Sequence, residues 1–556
     1  MTVPEKQGVT DWILKGHTKK FIAGPFDLNY KFPFGNLVLA PIFVVPKPNG
    51  TYRPVVHLSH RKYPFLYSVN DLLCEYMKTV QYIRFREVVN LVNNAGLGAF
   101  LFLIDAKDAY YRVPIASKDW KYMGLKWAEK LWVFRSLQMG CSSSPRIYTI
   151  FADAVEYICV KKDKKNSFYN GMQQLRHYID DFFAACPTQK GAWELFRNVF
   201  NTFEELGIPT NVDKCKYPWT KREILGWLYN TILRVVGLPE NKRLILLEMI
   251  EKLLKNKKSD KKFLEQLTGR LQNTSLVVYP GKAFVRRIEA VLHLPKWRYD
   301  EPIPLSHFVL EDLKWWKNIL SKPELCCTSF DLILKRPFDG DFHLYSDATS
   351  TVGGGGFVMD NRNNIVWSYQ FEWSDTILYE VKKYRKIEID VLELILSLTG
   401  IILLLPQLKN KCVTIYNDNP AAAAAIRTKA PRLYRLDLQF LVRYLATLAV
   451  EHKFYFWGIH EIVKESKNMQ LADDLSRFQA SARIKTKNAP RKWPLKIVND
   501  LLLQLLEQPA NLKPSIEIGN SRRKVYGLLL NDYDGAHTIP SVQDYLDSQH
   551  LYNVLK

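Results

Sequence analysis

Two adjacent aspartates, Asp180 and Asp181, are the residues of this chain whose type and spacing most directly indicate chemistry. They stand in the stretch RHYIDDFF, between β-prone aromatic and apolar residues, and this pattern predicts a strand that turns back with its acids at the bend. Because adjacent side chains on a regular strand point to opposite faces, only a tight turn brings both carboxylates to one site. A cation would relieve their repulsion, and oxygen ligands favour Mg²⁺ or Mn²⁺. The alternative is a solvated hairpin tip.

Further acids stand at places where strands and helices are predicted to end. Asp105 closes the apolar run AFLFLI, which places a carboxylate at the C-terminal edge of a buried strand. Four more isolated acids lie in the second half of the chain: Asp347, Glu393, Asp418 and Asp473. Each of these four could by itself be a helix cap or a turn residue. Their joint arrangement predicts a second metal site.

Cations and a glycine occur near predicted turns in the first half of the chain. Lys47 and Arg53 flank the hairpin signal Asn49-Gly50 and could reach a phosphate as a pair, or be solvated surface groups. Gly140, in LQMGCSSSP, belongs to a loop that would let the backbone approach a ligand, although the serines before Pro145 also fit ordinary helix capping.

The elements that must position these residues form two predicted α/β units. The first runs through the hairpin, the buried strand and RHYIDDFF, and the second starts near Asp339 with a strand, a glycine-rich turn and two further strands. Between them lies a basic helical stretch, residues 237–294, whose lysines could follow a phosphate backbone or form a solvated face. Residues 1–40 read as an irregular, extended lead-in, and residues 301–337 as a connector.

Composition bounds the class of protein. A length of 556 residues predicts about three or four domains. A net charge of +22 favours nucleic acid as the partner, and a basic protein without that function is the alternative. The apolar run 394–405 is too short to span a membrane and predicts a buried helix. The polar N-terminus and the unpaired pattern of cysteines predict an intracellular protein, cytoplasmic or nuclear.

The ordered motifs resemble one family of enzymes. PKPNGTYRP, LIDAKDAYY, LQMGCSSSP, YIDD, ELGIPTNVDKC and EILGWL are similar to the fingers and palm motifs of reverse transcriptases. YSDATS, LEL, YNDN and LADDLSR resemble the ribonuclease H domain of retroelements. KFIAGPF, VVHLSH with SVNDLL, and SSSPRIYT are most similar to DIRS-type retrotransposons, which move with a tyrosine recombinase.

This resemblance implies a multidomain α/β and α+β chain with a right-hand polymerase, a connection and a ribonuclease H-like domain. The implied domains are an N-terminal extension (1–40), fingers and palm (41–236), a thumb (237–300), a connection (301–337), a ribonuclease H-like domain (338–480) and a basic, helical C-terminal extension (481–556).

The resemblance also assigns roles to residues of the first half. Asp105 and Asp180 match the magnesium-binding aspartates, with Asp181 as the accompanying carboxylate, and two cations about 3.5–4 Å apart would support phosphoryl transfer. The remaining matches are Lys47, Arg53, Gly140 and Lys214 around the triphosphate, Tyr110 as an aromatic gate against a ribose 2′-hydroxyl, and Leu225 and Gly226 as a primer grip.

In the second half, Asp347, Glu393, Asp418 and Asp473 match the four ribonuclease H acids, which would hold two further metal ions. The neighbouring Asp474 is the rival for the fourth place, and the pattern A-D-x-L-S-R selects Asp473. The implied partners are an RNA template, a DNA primer, RNA–DNA hybrid and deoxynucleoside triphosphates, with no membrane.

Three functions follow as hypotheses. The first is an RNA- and DNA-directed DNA polymerase with an attached ribonuclease H; the second is a domesticated, catalytically silent nucleic-acid-binding scaffold; the third is an RNA-directed RNA polymerase. Retention of all seven acids favours the first over the second, since like charges cost stability without a metal. Departures from the family pattern at His57 and at Gln138-Met139 bear on fidelity and template contacts.

Overall fold

The computed structural model describes residues 1–46, 50–61, 63, 65–164, 174–293, 301–373, 378, 388–431 and 435–479. Lys47 and the predicted C-terminal extension therefore lie outside the described residues. The chain divides into two compact units, Met1–Arg234 and Val235–Lys556. The division falls beside residue 236, where the fingers and palm were predicted to end.

The first unit contains five described α-helices and eleven described strands. The helices are α1 (Val3–Thr18), α2 (Glu75–Lys78), α3 (Phe85–Asn94), α4 (Ser144–Asp163) and α5 (Gln189–Glu205). The strands are β1 (Ile22–Phe26), β2 (Ile42–Pro46), β3 (Tyr52–Val56), β4 (Phe100–Asp105), β5 (Gly124–Trp127), β6 (Lys130–Phe134), β7 (Gln174–Tyr178), β8 (Asp181–Cys186), β9 (Lys216–Trp219), β10 (Lys221–Ile224) and β11 (Trp227–Asn230).

The centre of the first unit is an antiparallel sheet in the order β7-β8-β4-β9. The apolar run that predicted β4 is buried along almost its whole length, and its Phe102 and Ile104 pack with Phe182, Val155 and Val199 from the facing strand and helices. Burial of β4 over successive residues explains why the sequence shows a continuous apolar run there rather than alternation. The sheet thus holds the ends of β4 and β8 rigidly beside each other.

The expectation of an irregular lead-in over residues 1–40 is wrong for residues 3–26 and holds for residues 27–40. The chain opens with α1, whose first turn is closed by a reciprocal capping box between Thr2 and Glu5. One helical turn apart, Val9 and Ile13 are buried in the core, and β1 then pairs antiparallel with β6. The glycine and proline residues after position 23 obscured this helix, whose i, i+4 apolar pair was the signal present in the sequence.

The second unit contains nine described α-helices and nine described strands. The helices are α6 (Glu240–Asn256), α7 (Lys261–Thr274), α8 (Arg286–Leu292), α9 (His307–Leu320), α10 (Phe330–Leu334), α11 (Ile389–Leu404), α12 (Pro420–Thr428), α13 (Leu436–Glu451) and α14 (Lys467–Ser476). The strands are β12 (Val235–Gly237), β13 (Lys258–Ser259), β14 (Ile303–Pro304), β15 (Cys327–Ser329), β16 (Phe342–Ala348), β17 (Gly353–Asp360), β18 (Ile365–Glu372), β19 (Cys412–Asn417) and β20 (Tyr455–His460).

The largest sheet of the second unit has five strands in the order β18-β17-β16-β19-β20. The first three strands form an antiparallel meander, and β16, β19 and β20 run parallel, joined by crossovers that contain helices. The predicted mixed fold class is confirmed: the chain has two units that combine helices and sheets, with an antiparallel four-stranded sheet in the first and a mixed five-stranded sheet in the second.

Helix α11 carries the long apolar run. With the 3₁₀ turn that follows it, it spans Ile389–Gln407, the only described helical stretch that is long and apolar enough to cross a membrane, so the expectation that the run is too short does not hold for the whole helix. Every residue from Asp390 to Leu404 is buried inside the protein, which confirms the predicted buried helix, and the helix begins five residues before the apolar run.

Candidate active sites

The first site is built on the hairpin that joins β7 to β8. Tyr178 pairs with Asp181, so the turn consists of Ile179 and Asp180, with Ile179 in the left-handed region at φ 54°. The carbonyl oxygen of Asp180 accepts a hydrogen bond of 2.8 Å from the backbone N–H of Ala106, which ties the turn to the end of β4. The predicted tight turn with acids at its bend is present, and Asp180 and Asp181 occupy different backbone positions within it.

A third acid lies opposite this hairpin. Asp105 ends β4 directly across from Asp181, and it is 4% exposed. Lys214, from the turn before β9, places its Nζ 3.0 Å from Oδ2 of Asp105. Three carboxylates from two antiparallel strands and one turn are thus brought to one edge of the sheet, and Lys214 forms an ion pair with one of them.

Burial and mutual repulsion raise the pKa values of the hairpin acids. The pKa of Asp181 is raised to about 7, first by burial and then by the charges of Asp180 and Asp105. Burial is also the largest cause that raises the pKa of Asp180, and Lys214 opposes it. A divalent cation between these oxygens would remove the repulsion, so this group of carboxylates has the donor chemistry of a Mg²⁺ or Mn²⁺ site.

The predicted gate residue lies beside the hairpin. Tyr110 sits in a short 3₁₀ helix after β4, and its ring centroid is 5.6 Å from that of Tyr148. Burial raises the pKa of Tyr110 to about 12, and the nearby charge of Asp180 contributes to the rise. The structure therefore brings Tyr110 to the same site as the turn acid.

Gly140 is a position where only glycine fits. Its φ of 101° is unfavourable for other residues, and an added Cβ would stand 2.4 Å from the carbonyl oxygen of Val56. Asn70 donates a hydrogen bond of 2.9 Å to the Gly140 carbonyl oxygen and accepts one from the N–H of Ser142. Sequence reasoning missed this positioning role of Asn70, although its motif SVNDLL had been noted. Beside the glycine, Met139 is 41% exposed, whereas Gln138 is only 1% exposed.

The remaining predicted residues of the first unit are placed less closely. Arg53 lies exposed on β3 opposite Val45. Its positive charge opposes the rise that burial causes in the pKa of Tyr111, the residue next to Tyr110. Leu225 and Gly226 form the two-residue turn between β10 and β11, both with positive φ, as a type I′ hairpin turn requires. Their part in holding a primer stays a prediction.

The second site is built from the end of one strand, a helix and the end of a neighbouring strand. Asp347 is the penultimate residue of β16, Glu393 lies in the second turn of α11, and Asp418 directly follows β19. Each offers a carboxylate oxygen, and these oxygens all lie within 4.8 Å of one another. The sheet order brings β16 and β19 side by side, which is why acids more than 70 positions apart in sequence meet.

This second site is deeply buried, and its acids are held by hydrogen bonds. Glu393, 2% exposed, accepts bonds of 3.0 Å from the N–H of Ala348 and 3.2 Å from the side chain of Asn417. Burial raises the pKa of Asp347 to about 7, with further contributions from Asp418 and Asp473. The pKa of Glu393 is raised well above its ordinary value by burial and by the neighbouring carboxylates.

The rival aspartates of α14 have different surroundings. Asp473 raises the pKa of both Asp347 and Asp418 by its charge, and it pairs with Arg477 at 2.8 Å. Asp474 instead accepts a hydrogen bond of 3.2 Å from Gln470. The geometry favours Asp473 as the acid that belongs with the cluster, although it lies outside the group of three that could share one ion.

A serine completes this site and was missed from the sequence. Ser476 is fully buried, and its Oγ lies 2.5 Å from Oδ2 of Asp347. The only signal for it was its place in the motif L-A-D-D-L-S-R, where the acids drew attention. The hydroxyl donates to one oxygen of Asp347 and so orients the carboxylate.

Comparison with known proteins bears on the first unit. Residues 45–228 match the family model described as reverse transcriptase (RNA-dependent DNA polymerase). The Pro-Pol polyprotein of feline foamy virus is 21% identical over 187 residues, which are 34% of this chain and 14% of that polyprotein. This stretch of the chain is therefore similar in sequence to reverse transcriptase domains, and the chain matches only a small part of the relative's length.

Solved structures were also found. A foamy viral protease-reverse transcriptase in complex with double-stranded DNA is 16% identical, with 83% of this chain and 71% of that chain covered and a TM-score of 0.45. The same kind of protein in complex with an RNA/DNA hybrid is 15% identical, with 84% and 56% covered and again a TM-score of 0.45.

Proposed function

We propose that this chain is an RNA- and DNA-directed DNA polymerase whose second unit cleaves the RNA strand of RNA–DNA hybrids, and that it replicates a retroelement, of the DIRS type by its motifs. The observation that carries the polymerase is the convergence of Asp105, Asp180 and Asp181 inside the stretch that matches the reverse transcriptase model. The observation that supports the nuclease is the group formed by the buried Asp347 and Glu393 and the half-buried Asp418 at the mixed five-stranded sheet.

Both groups of acids fit divalent cations, because each offers carboxylate oxygens. Burial raises the pKa of Asp181 and of Asp347, so these acids favour the neutral form unless a positive charge is near. When bound, pairs of Mg²⁺ or Mn²⁺ ions would activate the attacking oxygen and stabilise the leaving one. In the first site Asp105 and Asp180 are the proposed ligands and Asp181 assists. In the second site Asp473 joins the group of three.

The other residues of the first site bind and orient the substrates. Lys214, now paired with Asp105, is 63% exposed at its side chain and can turn to a triphosphate when the carboxylate is neutralised. Tyr110 stands beside Asp180 and would exclude a ribose 2′-hydroxyl by bulk, which selects deoxynucleotides. Gly140 lets the backbone approach the nucleotide, and the cations Lys47 and Arg53 are proposed to hold its phosphates.

The further proposals concern the rest of the chain. Residues 237–300 act as a thumb, 301–337 as a connection and 481–556 as an extension, in an intracellular protein that binds template, primer and hybrid by their phosphates. A silent nucleic-acid-binding scaffold is the rival function. The buried, mutually repelling acids argue against it, because a scaffold has no use for a cluster whose pKa values are raised by like charges.

A paired experiment tests the proposal with the full chain. Incorporation of dTTP on poly(rA) with oligo(dT), and cleavage of the RNA in a labelled hybrid, are measured for wild type, Asp180→Asn and Asp418→Asn. We expect Asp180→Asn to lose at least about 10³-fold in incorporation and to keep cleavage, and Asp418→Asn to show the reverse.

Other outcomes separate the rivals. If Asp180→Asn incorporates dTTP at the wild-type rate, or if no form of the protein incorporates it, the silent scaffold becomes the better-supported hypothesis. Equal use of ribonucleotides and deoxynucleotides by the wild type would favour an RNA polymerase. Undiminished cleavage in Asp418→Asn would remove that acid from the nuclease.

A further inference from the structure

The segment that carries Tyr110 is contacted by residues that precede the matched stretch 45–228. Asp108, at φ 59°, starts the 3₁₀ helix Ala109–Arg112, and its carboxylate forms an ion pair with Lys19, the residue that ends α1. Both side chains are mostly buried, which shields the pair from solvent. The end of the N-terminal helix is thereby attached two residues before the gate.

A second contact holds the same segment one residue after the gate. The ring of Tyr111 stacks on that of Phe21, with centroids 5.4 Å apart and planes at 17°. The guanidinium of Arg112 also lies over the Phe21 ring, with its Cζ 5.3 Å from the centroid. Phe21 is itself fixed, because its carbonyl oxygen accepts a 2.8 Å hydrogen bond from the N–H of Arg135.

Between these contacts the packing is loose. A cavity of about 50 Å³ lies between α1 and the segment that carries Tyr110. It is lined by Trp12, Lys15 and Phe134, and by the residues of the ion pair and the ring stack. The ion pair and the ring stack are thus contacts through which the N-terminal residues act on the backbone beside Tyr110, together with a hydrogen bond between the side chains of Trp12 and Tyr111.

We propose that Lys19 and Phe21 are positioning residues for Tyr110, so that the N-terminal segment sets how strictly the polymerase rejects ribonucleotides. This inference rests on the proposed polymerase function and on Tyr110 as its gate. A gate discriminates by occupying the space of one hydroxyl, and displacement of a positioned group by about 1 Å is enough to change rates up to about 10²-fold. Loss of either contact frees the backbone that carries the ring.

The test compares kcat/KM for dTTP and for rTTP on poly(rA) with oligo(dT). Tyr110→Ala provides the reference for a lost gate. We expect Lys19→Met and Asp108→Asn each to lower the dTTP/rTTP ratio about 10-fold, mainly through a gain with rTTP. Asparagine tolerates the positive φ at position 108, so that variant removes the charge without straining the backbone.

Two further variants separate positioning from stability. Lys19→Arg keeps the ion pair and should keep the ratio. Lys130→Met removes the 2.5 Å pair with Asp27, an exposed ion pair at the neighbouring strand, and should leave the ratio unchanged. In a Tyr110→Ala background, Lys19→Met should add nothing, because it acts through the ring that is gone.

The inference is overturned if Tyr110→Ala lowers the ratio while Lys19→Met and Asp108→Asn leave it at the wild-type value. It is equally overturned if those two variants slow both nucleotides by the same factor, since that is the signature of a merely structural role. If Tyr110→Ala leaves the ratio unchanged while incorporation continues, Tyr110 is not the gate and the inference fails although the polymerase stands. If the wild type incorporates nothing, the proposed function fails and the inference fails with it.

Discussion

The two groups of acids differ in how completely the fold assembles them. In the second unit Asp347, Glu393 and Asp418 bring their oxygens within 4.8 Å of one another, and Glu393 is almost wholly buried. In the first unit the acids stand on a hairpin turn and on facing strand ends, and no comparable group of three is found among the described residues there. One acid of the first site is already paired with Lys214.

The difference follows from the elements that carry the acids. A parallel strand pair and a buried helix fix side chains from three directions, so the second site is preformed and keeps its repulsion in the absence of a cation. In the first site two of the three acids stand on one hairpin, and Lys214 already offsets the charge of Asp105. We infer that the second site gains more stability from a cation, and that the first depends more on its lysine.

The largest expected effect is on stability in EDTA. Asp347 has a pKa of about 7 against an ordinary value of 3.8, so the folded protein binds this proton more tightly than the unfolded chain. That contribution to stability is present below about pH 4 and is lost as the pH rises to about 7. At pH 8, Asp347→Asn should stabilise the chelated protein by about 2–4 kcal/mol, about 5–10 °C in the melting temperature of the second unit.

Three comparisons check this prediction. At pH 4 the variant and the wild type should have the same melting temperature, because Asp347 is then neutral in the folded wild type, as asparagine is in the variant. Addition of Mg²⁺ at pH 8 should raise the melting temperature of the wild type and not that of Asp347→Asn. Asp181→Asn tests the first site in the same way, because the pKa of Asp181 is also raised to about 7 by burial and like charges. We expect a smaller gain there, since Lys214 already offsets part of the repulsion, and a larger gain would reverse the order of the two sites.

The sequence predicted the acids better than it predicted what holds them. The turn at Asp180 was predictable because β-prone residues flank a polar pair, and the end of β4 was predictable because the apolar run stops at Asp105. The meeting of Asp347, Glu393 and Asp418 depends on strand order, which local patterns do not encode. Helix α1 was missed because only two of its residues, Val9 and Ile13, are buried and most of the others are polar. The residues that Lys19 and Phe21 contact just after this helix, Asp108 and Tyr111, lie about 90 positions away in the sequence.

The next effect in size concerns the lysine of the first site. Lys214 is the one cation seen to pair with the acids there among the described residues, so Lys214→Met should lower dTTP incorporation about 10²-fold while hybrid cleavage stays at the wild-type rate. Lys214→Arg keeps the charge and should restore part of the activity. Wild-type incorporation by Lys214→Met would show that the pair with Asp105 has no part in the reaction and would weaken the contrast between the sites.

The smallest effect concerns Ser476, which acts on the geometry of the second site and not on its charge. Its hydroxyl holds Oδ2 of Asp347, so Ser476→Ala should leave this carboxylate free to rotate and should weaken hybrid cleavage about 10-fold at low Mg²⁺, with less loss at saturating Mg²⁺. Ser466→Ala is the matched control, because Ser466 caps the same helix through the N–H of Met469. That change should lower stability by about 1 kcal/mol and leave the Mg²⁺ dependence unaltered. If both serine variants shift the Mg²⁺ dependence equally, the helix as a whole and not the hydroxyl orients Asp347, and the second site is less rigidly preformed than its distances indicate.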